Sequence, residues 1–104
     1  MKEVSVQELK ELKDKGADFQ LIDVREEHEL EICEIGGENI AMGDIMDNLD
    51  KISKDKQVVI MCRSGARSGT ICRALETEGF NNVHNLRGGI LAWADEIDSS
   101  IEKY

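Results

Sequence analysis

Apolar and polar positions fall into short blocks whose spacing predicts helices and strands in turn. Ser5-x-x-Glu8 ahead of Leu9 and Leu12 is a capping-box pattern, and Gly16 closes the helix it opens. Phe19-Gln20-Leu21-Ile22-Asp23-Val24 predicts a short buried strand. Glu26 to Glu31 predicts a helical turn, followed by an irregular stretch from Cys33 to Gly37. A further short strand is expected at Asn39-Ile40-Ala41. Ile45, Met46, Leu49 and Ile52 lie at helical spacing and predict a helix over Asp44 to Ile52. A strand over 57–61 comes next, then a helix from about Ser68 to Glu78 that ends at Gly79. Asn82 to Leu86 predicts a last strand and Gly88-Gly89 a turn. Ile90 to Ile97 predicts a closing helix with Trp93 on its apolar face.

Strands alternating with helices predict an α/β domain built on a mainly parallel sheet. Ligands of such sheets sit at the carboxyl ends of the strands. Cys62 occupies that position, directly after the apolar run Val58-Val59-Ile60-Met61 and before Arg63-Ser64-Gly65-Ala66-Arg67-Ser68. A tight loop running into a helix N-terminus presents successive N–H groups to an anion. Gly65 permits backbone angles that a side chain penalises. Arg63 and Arg67 add charge, and Ser64 and Ser68 add hydroxyl donors. Such surroundings favour thiolate over thiol, and thiolate is the nucleophilic form. Cys62 is therefore the candidate catalytic residue. Ala66, at the expected loop tip, offers little selectivity, which places specificity in the surrounding surface.

Length and composition narrow the setting. A chain of 104 residues supports one core and one domain over 1–104. Nothing approaches the roughly 20 apolar residues of a membrane span, and the N-terminal residues form no signal-peptide core. Three cysteines form no disulfide framework or CxxC pair, and His28 and His84 cluster with none of them, so neither disulfides nor a metal site is expected. Free thiols suit a reducing, cytoplasmic compartment.

The formal charge of −9 argues against nucleic acid or an anionic membrane as partner. Residues 1–57 carry 16 acids against 8 bases, whereas residues 58–104 carry 6 against 5. Four of those last five are Arg63, Arg67, Arg73 and Arg87. A small basic pocket in an acidic protein is expected, open to small anions or a dedicated partner.

The Cys-x4-Arg spacing from Cys62 to Arg67 closely resembles the active-site loop of the rhodanese family of sulfurtransferases. Leu21-Ile22-Asp23-Val24-Arg25-Glu26 is similar to that family's strand-end Asp-x-Arg signature. Gly79-Phe80-Asn81-Asn82-Val83 and Leu86-Arg87-Gly88-Gly89-Ile90-Leu91-Ala92-Trp93 resemble its closing strand, turn and helix. The resemblance implies a five-stranded parallel sheet with helices on both faces. It also implies that Cys62 takes sulfane sulfur from thiosulfate or a protein persulfide and holds it as a persulfide. A thiophilic acceptor then removes it, cyanide in the test tube. No cofactor is implied.

Related phosphatases and arsenate reductases use a loop one residue longer, which disfavours that alternative. A binding or regulatory module that keeps the fold without the chemistry is the other. Glu31 to Gly37 and Gly89 to Asp98 look like rhodanese domains fused behind the adenylating enzymes of molybdopterin and thiamine synthesis. Partners implied are a small sulfur-containing anion and a sulfur-donor or sulfur-carrier protein, with the chain itself a monomer. The family often has Gly-His-Ile-Pro-Gly where this chain has Cys33-Glu34-Ile35-Gly36-Gly37.

Arg67 is expected to orient the loop and stabilise anionic sulfur, or else to pair with an acid. Arg63 either steers the donor or is solvated. Asp23 and Arg25 are read as structural, Cys72 as core packing, and Cys33 as a loop thiol for which a disulfide to Cys62 is the lesser possibility. Arg87 is placed at the border of the pocket.

Overall fold

The computed structural model describes residues 1–104. Five strands form one sheet: β1 (Lys2–Val4), β2 (Phe19–Asp23), β3 (Glu38–Asn39), β4 (Gln57–Met61) and β5 (Val83–Leu86). Their order is β1-β5-β4-β2-β3, and every pairing is parallel. Four α-helices accompany them, the last after β5: α1 (Val6–Asp14), α2 (Glu27–Ile32), α3 (Ala66–Thr77) and α4 (Gly89–Glu96). No helix is long and apolar enough to cross a membrane.

β4 is the central strand, and Val58, Val59, Ile60 and Met61 are all fully buried. An uninterrupted apolar run is what a parallel strand covered on both faces requires. Successive side chains point to opposite faces. Val58 and Ile60 join Ile22, Val24, Ile71, Cys72 and Leu75 in a core beneath α3. Val59 and Met61 join Leu9, Leu21, Ile90 and Trp93 in a second core beneath α1 and α4. The same alternation carries Cys62 to the α3 side.

Ser5 caps α1 in a reciprocal box with Glu8, as the sequence predicts. Three local expectations change. The segment expected to be one helix over Asp44 to Ile52 is two 3-10 turns, Met42–Asp47 and Leu49–Lys51. Gly43, Asp44, Asp47, Asn48 and Asp50 are poor α-helix formers, and the Asn48 side-chain amide donates to the Asp44 carbonyl at 2.7 Å, competing with an α-helical continuation. Ile45 and Ile52 are buried, but Met46 is exposed. The strand expected at Asn39–Ala41 begins one residue earlier and spans Glu38–Asn39. β1, which residue pattern alone does not predict, pairs Lys2, Glu3 and Val4 with His84, Asn85 and Leu86.

Candidate active site

Cys62 follows the last residue of β4, and the chain then turns sharply into α3. α3 starts at Ala66, two residues before the expected start, so Ala66 and Arg67 form its first turn and are not a loop tip. Gly65 sits just before it at φ 100°, in the left-handed region open to glycine. Its N–H points at the Cys62 sulfur, 3.1 Å away. The Ser68 N–H, one of the first-turn amides that have no partner within a helix, reaches the same sulfur at 3.4 Å. The Ser68 hydroxyl lies 3.2 Å from it.

The loop is held from behind by α4. Ile90 N–H donates to the Cys62 carbonyl at 3.0 Å and Leu91 N–H to the Arg63 carbonyl at 3.1 Å. These bonds satisfy both carbonyls of the loop. The approach is possible because residue 89 is glycine: a Cβ there would lie 2.4 Å from the Arg63 oxygen and 2.5 Å from the Cys62 oxygen. Gly88-Gly89, read from the sequence as a turn, is thus part of the scaffold of the site.

Burial opposes ionisation of Cys62. Hydrogen bonds from the Ser68 hydroxyl and from the Ser68, Gly65 and Ser64 amides outweigh it, and the thiol ionises below its ordinary range. Cys72 has no such donors; burial pushes its thiol up to about 12.

The expected basic pocket is not what the structure builds. Both terminal nitrogens of Arg67 bind the Glu29 carboxylate, at 2.9 and 3.0 Å. Glu29 also accepts from the Glu26 N–H at 2.9 Å, and Arg67 holds its carboxyl below the usual range. Arg67 therefore ties α3 to α2 and gives its hydrogen bonds to a carboxylate, reaching the sulfur only as a charge through space. This is the acid-paired alternative, and the reason is geometric: a guanidinium fork matches a carboxylate edge. Arg63 turns the other way, bonding the Tyr104 main-chain oxygen and lying 5.0 Å from the centre of the Tyr104 ring. Ser64 is exposed, with its amide on the Cys62 side. Arg87 is exposed and sits 3.8 Å from Glu3.

Asp23 and Arg25 form a buried ion pair at 2.8 Å, with the Arg25 side chain fully enclosed. The guanidinium also reaches the Cys33 carbonyl at 2.9 Å and the Tyr104 hydroxyl at 3.1 Å. This enclosure is what the structural role expected of them requires. The Cys33 side chain packs with the α1–α4 core and Cys62 with the α3 core, so the sheet separates the two thiols; all three cysteines are free. Cys72 is core, as expected, and His28 is exposed.

Sequence reasoning missed Glu29, Asn85 and Tyr104. Asn85, on β5, accepts from the Ser68 hydroxyl at 2.5 Å and donates to the Gly65 carbonyl at 3.1 Å. Within β5, Val83-His84-Asn85-Leu86, it is one of two adjacent polar residues, and nothing in the sequence sets it apart from His84. The most spacious cleft, about 550 Å³ between Lys13, Gln20, Glu38 and Lys51, lies by the amino end of β2, away from Cys62.

The rhodanese-like domain model matches residues 5–96. The chain belongs to the rhodanese-like domain family. It is 41% identical over 97 residues to the putative sulfurtransferase YtwF of Bacillus subtilis, covering 92% of this chain and 93% of that protein. It is 31% identical to the probable adenylyltransferase/sulfurtransferase MoeZ of Mycobacterium tuberculosis, with 97% of this chain matched to 26% of that much longer protein. The crystal structure of a rhodanese-like domain protein from Staphylococcus aureus superposes with a TM-score of 0.85 at 32% identity, over 100% of this chain and 99% of that one. The five-stranded parallel sheet with helices on both faces is the fold these neighbours share.

Proposed function

We propose that this chain is a rhodanese-type sulfurtransferase that works through a persulfide on Cys62. The observation that carries the proposal is the convergence of the Gly65 and Ser68 amides and the Ser68 hydroxyl on one buried sulfur at the carboxyl end of β4. Relatives named as sulfurtransferases support it.

In the first half-reaction the Cys62 thiolate attacks the outer sulfur of thiosulfate or of another persulfide. A bond forms from Cys62 Sγ to that sulfur. The donor's S–S bond breaks, and sulfite or a thiolate leaves with the bonding pair. The first-turn amides of α3 and the Gly65 amide face the region where negative charge rests. In the second half-reaction a nucleophile, cyanide or a thiolate, attacks the terminal sulfur, and Cys62 leaves as thiolate. Breaking the sulfur–sulfur bond in this direction is easier when the departing thiol is acidic. The hydrogen bonds that favour the Cys62 thiolate as attacker therefore also favour it as leaving group.

Because Arg67 and Arg63 are both engaged, recognition of the donor falls to the backbone cradle and the surrounding surface, where a sulfur-donor or sulfur-carrier protein docks. Three free thiols fit a reducing compartment such as the cytoplasm. The test is sulfur transfer from thiosulfate to cyanide by wild-type protein and Cys62→Ser. Turnover is expected only with Cys62 present; equal rates for the two proteins overturn the proposal.

A further inference from the structure

The Ser68 hydroxyl has one proton and two claimants. Its oxygen lies 2.5 Å from Asn85 Oδ1 and 3.2 Å from Cys62 Sγ. Asn85 does not reverse its amide to escape the contest. Its Nδ2 donates to the Gly65 carbonyl at 3.1 Å, and reversal would set two oxygens against each other. All three side chains are buried, with Ser68 at 0%, Cys62 at 1% and Asn85 at 4% exposure, so bulk water does not supply the missing donor.

When Cys62 is a thiol, every group is satisfied: S–H donates to Ser68 Oγ and Ser68 O–H donates to Asn85 Oδ1. When Cys62 is a thiolate, it has no proton to give. The Ser68 proton then serves either the sulfur or Asn85, and one of them goes without. We propose that Asn85 is a positioning residue that competes with the Cys62 sulfur for the single Ser68 proton. The hydroxyl rests on Asn85 and swings to the sulfur only when that sulfur carries charge.

Extended to the sulfurtransferase cycle, which rests on the reading above, the hydroxyl has two positions. In the persulfide the charge moves to the outer sulfur, and Sγ becomes a weak acceptor, so the proton returns to Asn85. As the acceptor removes the outer sulfur and Cys62 departs as thiolate, the hydroxyl swings back. Asn85 thus keeps Ser68 from holding the free thiolate too tightly.

Few other ionisable groups bear on the same sulfur. Arg67 on α3 is paired with Glu29 on α2, Cys72 on α3 is pushed up to about 12, and Arg63 is turned to Tyr104. The buried Asp23–Arg25 pair lies at the end of β2.

The experiment is the pH dependence of Cys62 alkylation by iodoacetamide, in a Cys33→Ser background, and needs no sulfur transfer. Ser68→Ala removes the donor and moves the midpoint up by about one pH unit. Asn85→Leu frees that donor for the sulfur and moves the midpoint down. The double variant matches Ser68→Ala, because without the Ser68 hydroxyl Asn85 has no proton to compete for. A merely structural Asn85 gives an unchanged or raised midpoint in Asn85→Leu, and that result overturns the proposal. Should Asn85→Leu not fold, the Asn85 side-chain carbonyl carbon resonance of the Cys33→Ser protein is followed instead. It moves with the Cys62 midpoint if the contest is real, and a flat resonance overturns it. A wrong titration with intact sulfur transfer removes only the Asn85 role; a right titration without transfer removes only the sulfurtransferase reading.

Discussion

The two terminal nitrogens of Arg67 are matched to the two carboxylate oxygens of Glu29, at 2.9 and 3.0 Å. This pairing changes what the Cys-x4-Arg spacing does in this protein. The arginine fixes the first turn of α3 against α2, and the amides of that turn hold the sulfur. The Arg67 side chain is one-third exposed and that of Glu29 about one-eighth. Arg67→Ala is expected to destabilise the fold by about 1–2 kcal/mol, between the values for exposed and buried pairs. A double-mutant cycle with Glu29→Ala in urea checks it: the double variant loses less than the sum of the singles.

The same pair gives a pH dependence. The Glu29 carboxyl is depressed in the folded state by the Arg67 hydrogen bonds, with burial opposing. A depressed carboxyl contributes stability that is fully present above its unfolded value and is lost as pH falls through the folded one. The contribution is therefore intact at neutral pH and disappears below pH of about 4. Urea midpoints of wild type and Glu29→Gln should differ at pH 7 and converge in that acid range.

Gly16 and Gly89 have nearly the same φ, 63° and 59°, in very different surroundings. A Cβ at Gly16 meets nothing within 4 Å, whereas one at Gly89 meets the Arg63 and Cys62 oxygens. Gly16→Ala is expected to cost about 1 kcal/mol, the strain of the left-handed conformation alone. Gly89→Ala adds a main-chain clash and should cost about 3 kcal/mol or more, with sulfur transfer lost. Thermal unfolding and transfer rates of the two variants, side by side, separate backbone strain from support of the loop.

How much of this was legible in the sequence depends on whether a residue acts locally. The β4–loop–α3 passage was, because an unbroken apolar run, a glycine and a helix start are written in consecutive positions. The capping box of α1 was legible for the same reason. Glu29 was hidden among Glu26, Glu27 and Glu31, since only the packing of α2 beside α3 distinguishes one glutamate from its neighbours. Asn85 sits 17 residues from Ser68, and their contact exists only once β5 lies beside β4. β1 was missed because three residues with one buried side chain, Val4, carry too little pattern. The open edge of β5 makes it a strand.

Arg25 and Asp23 are buried together, so removing one strands the other. Arg25→Ala is expected to destabilise by about 3–5 kcal/mol, through an uncompensated buried carboxylate. Asp23→Leu combined with Arg25→Met should recover part of that loss, read from urea midpoints, because no lone charge remains buried.

Cys72 is fully buried in the α3 core with its thiol pushed up to about 12. Iodoacetamide at neutral pH should therefore leave it untouched in folded protein while labelling Cys62, and should label it once urea unfolds the chain. Peptide mapping of the alkylated protein reads both outcomes.

The central claim is that Cys62 carries sulfur. Peptide mass spectrometry after incubation with thiosulfate, in a Cys33→Ser background, tests it most directly. One added sulfur atom is expected on the peptide containing Cys62, removed by cyanide and absent from Cys62→Ser. An unmodified Cys62 peptide, with the protein folded and its thiol reactive to iodoacetamide, would contradict it.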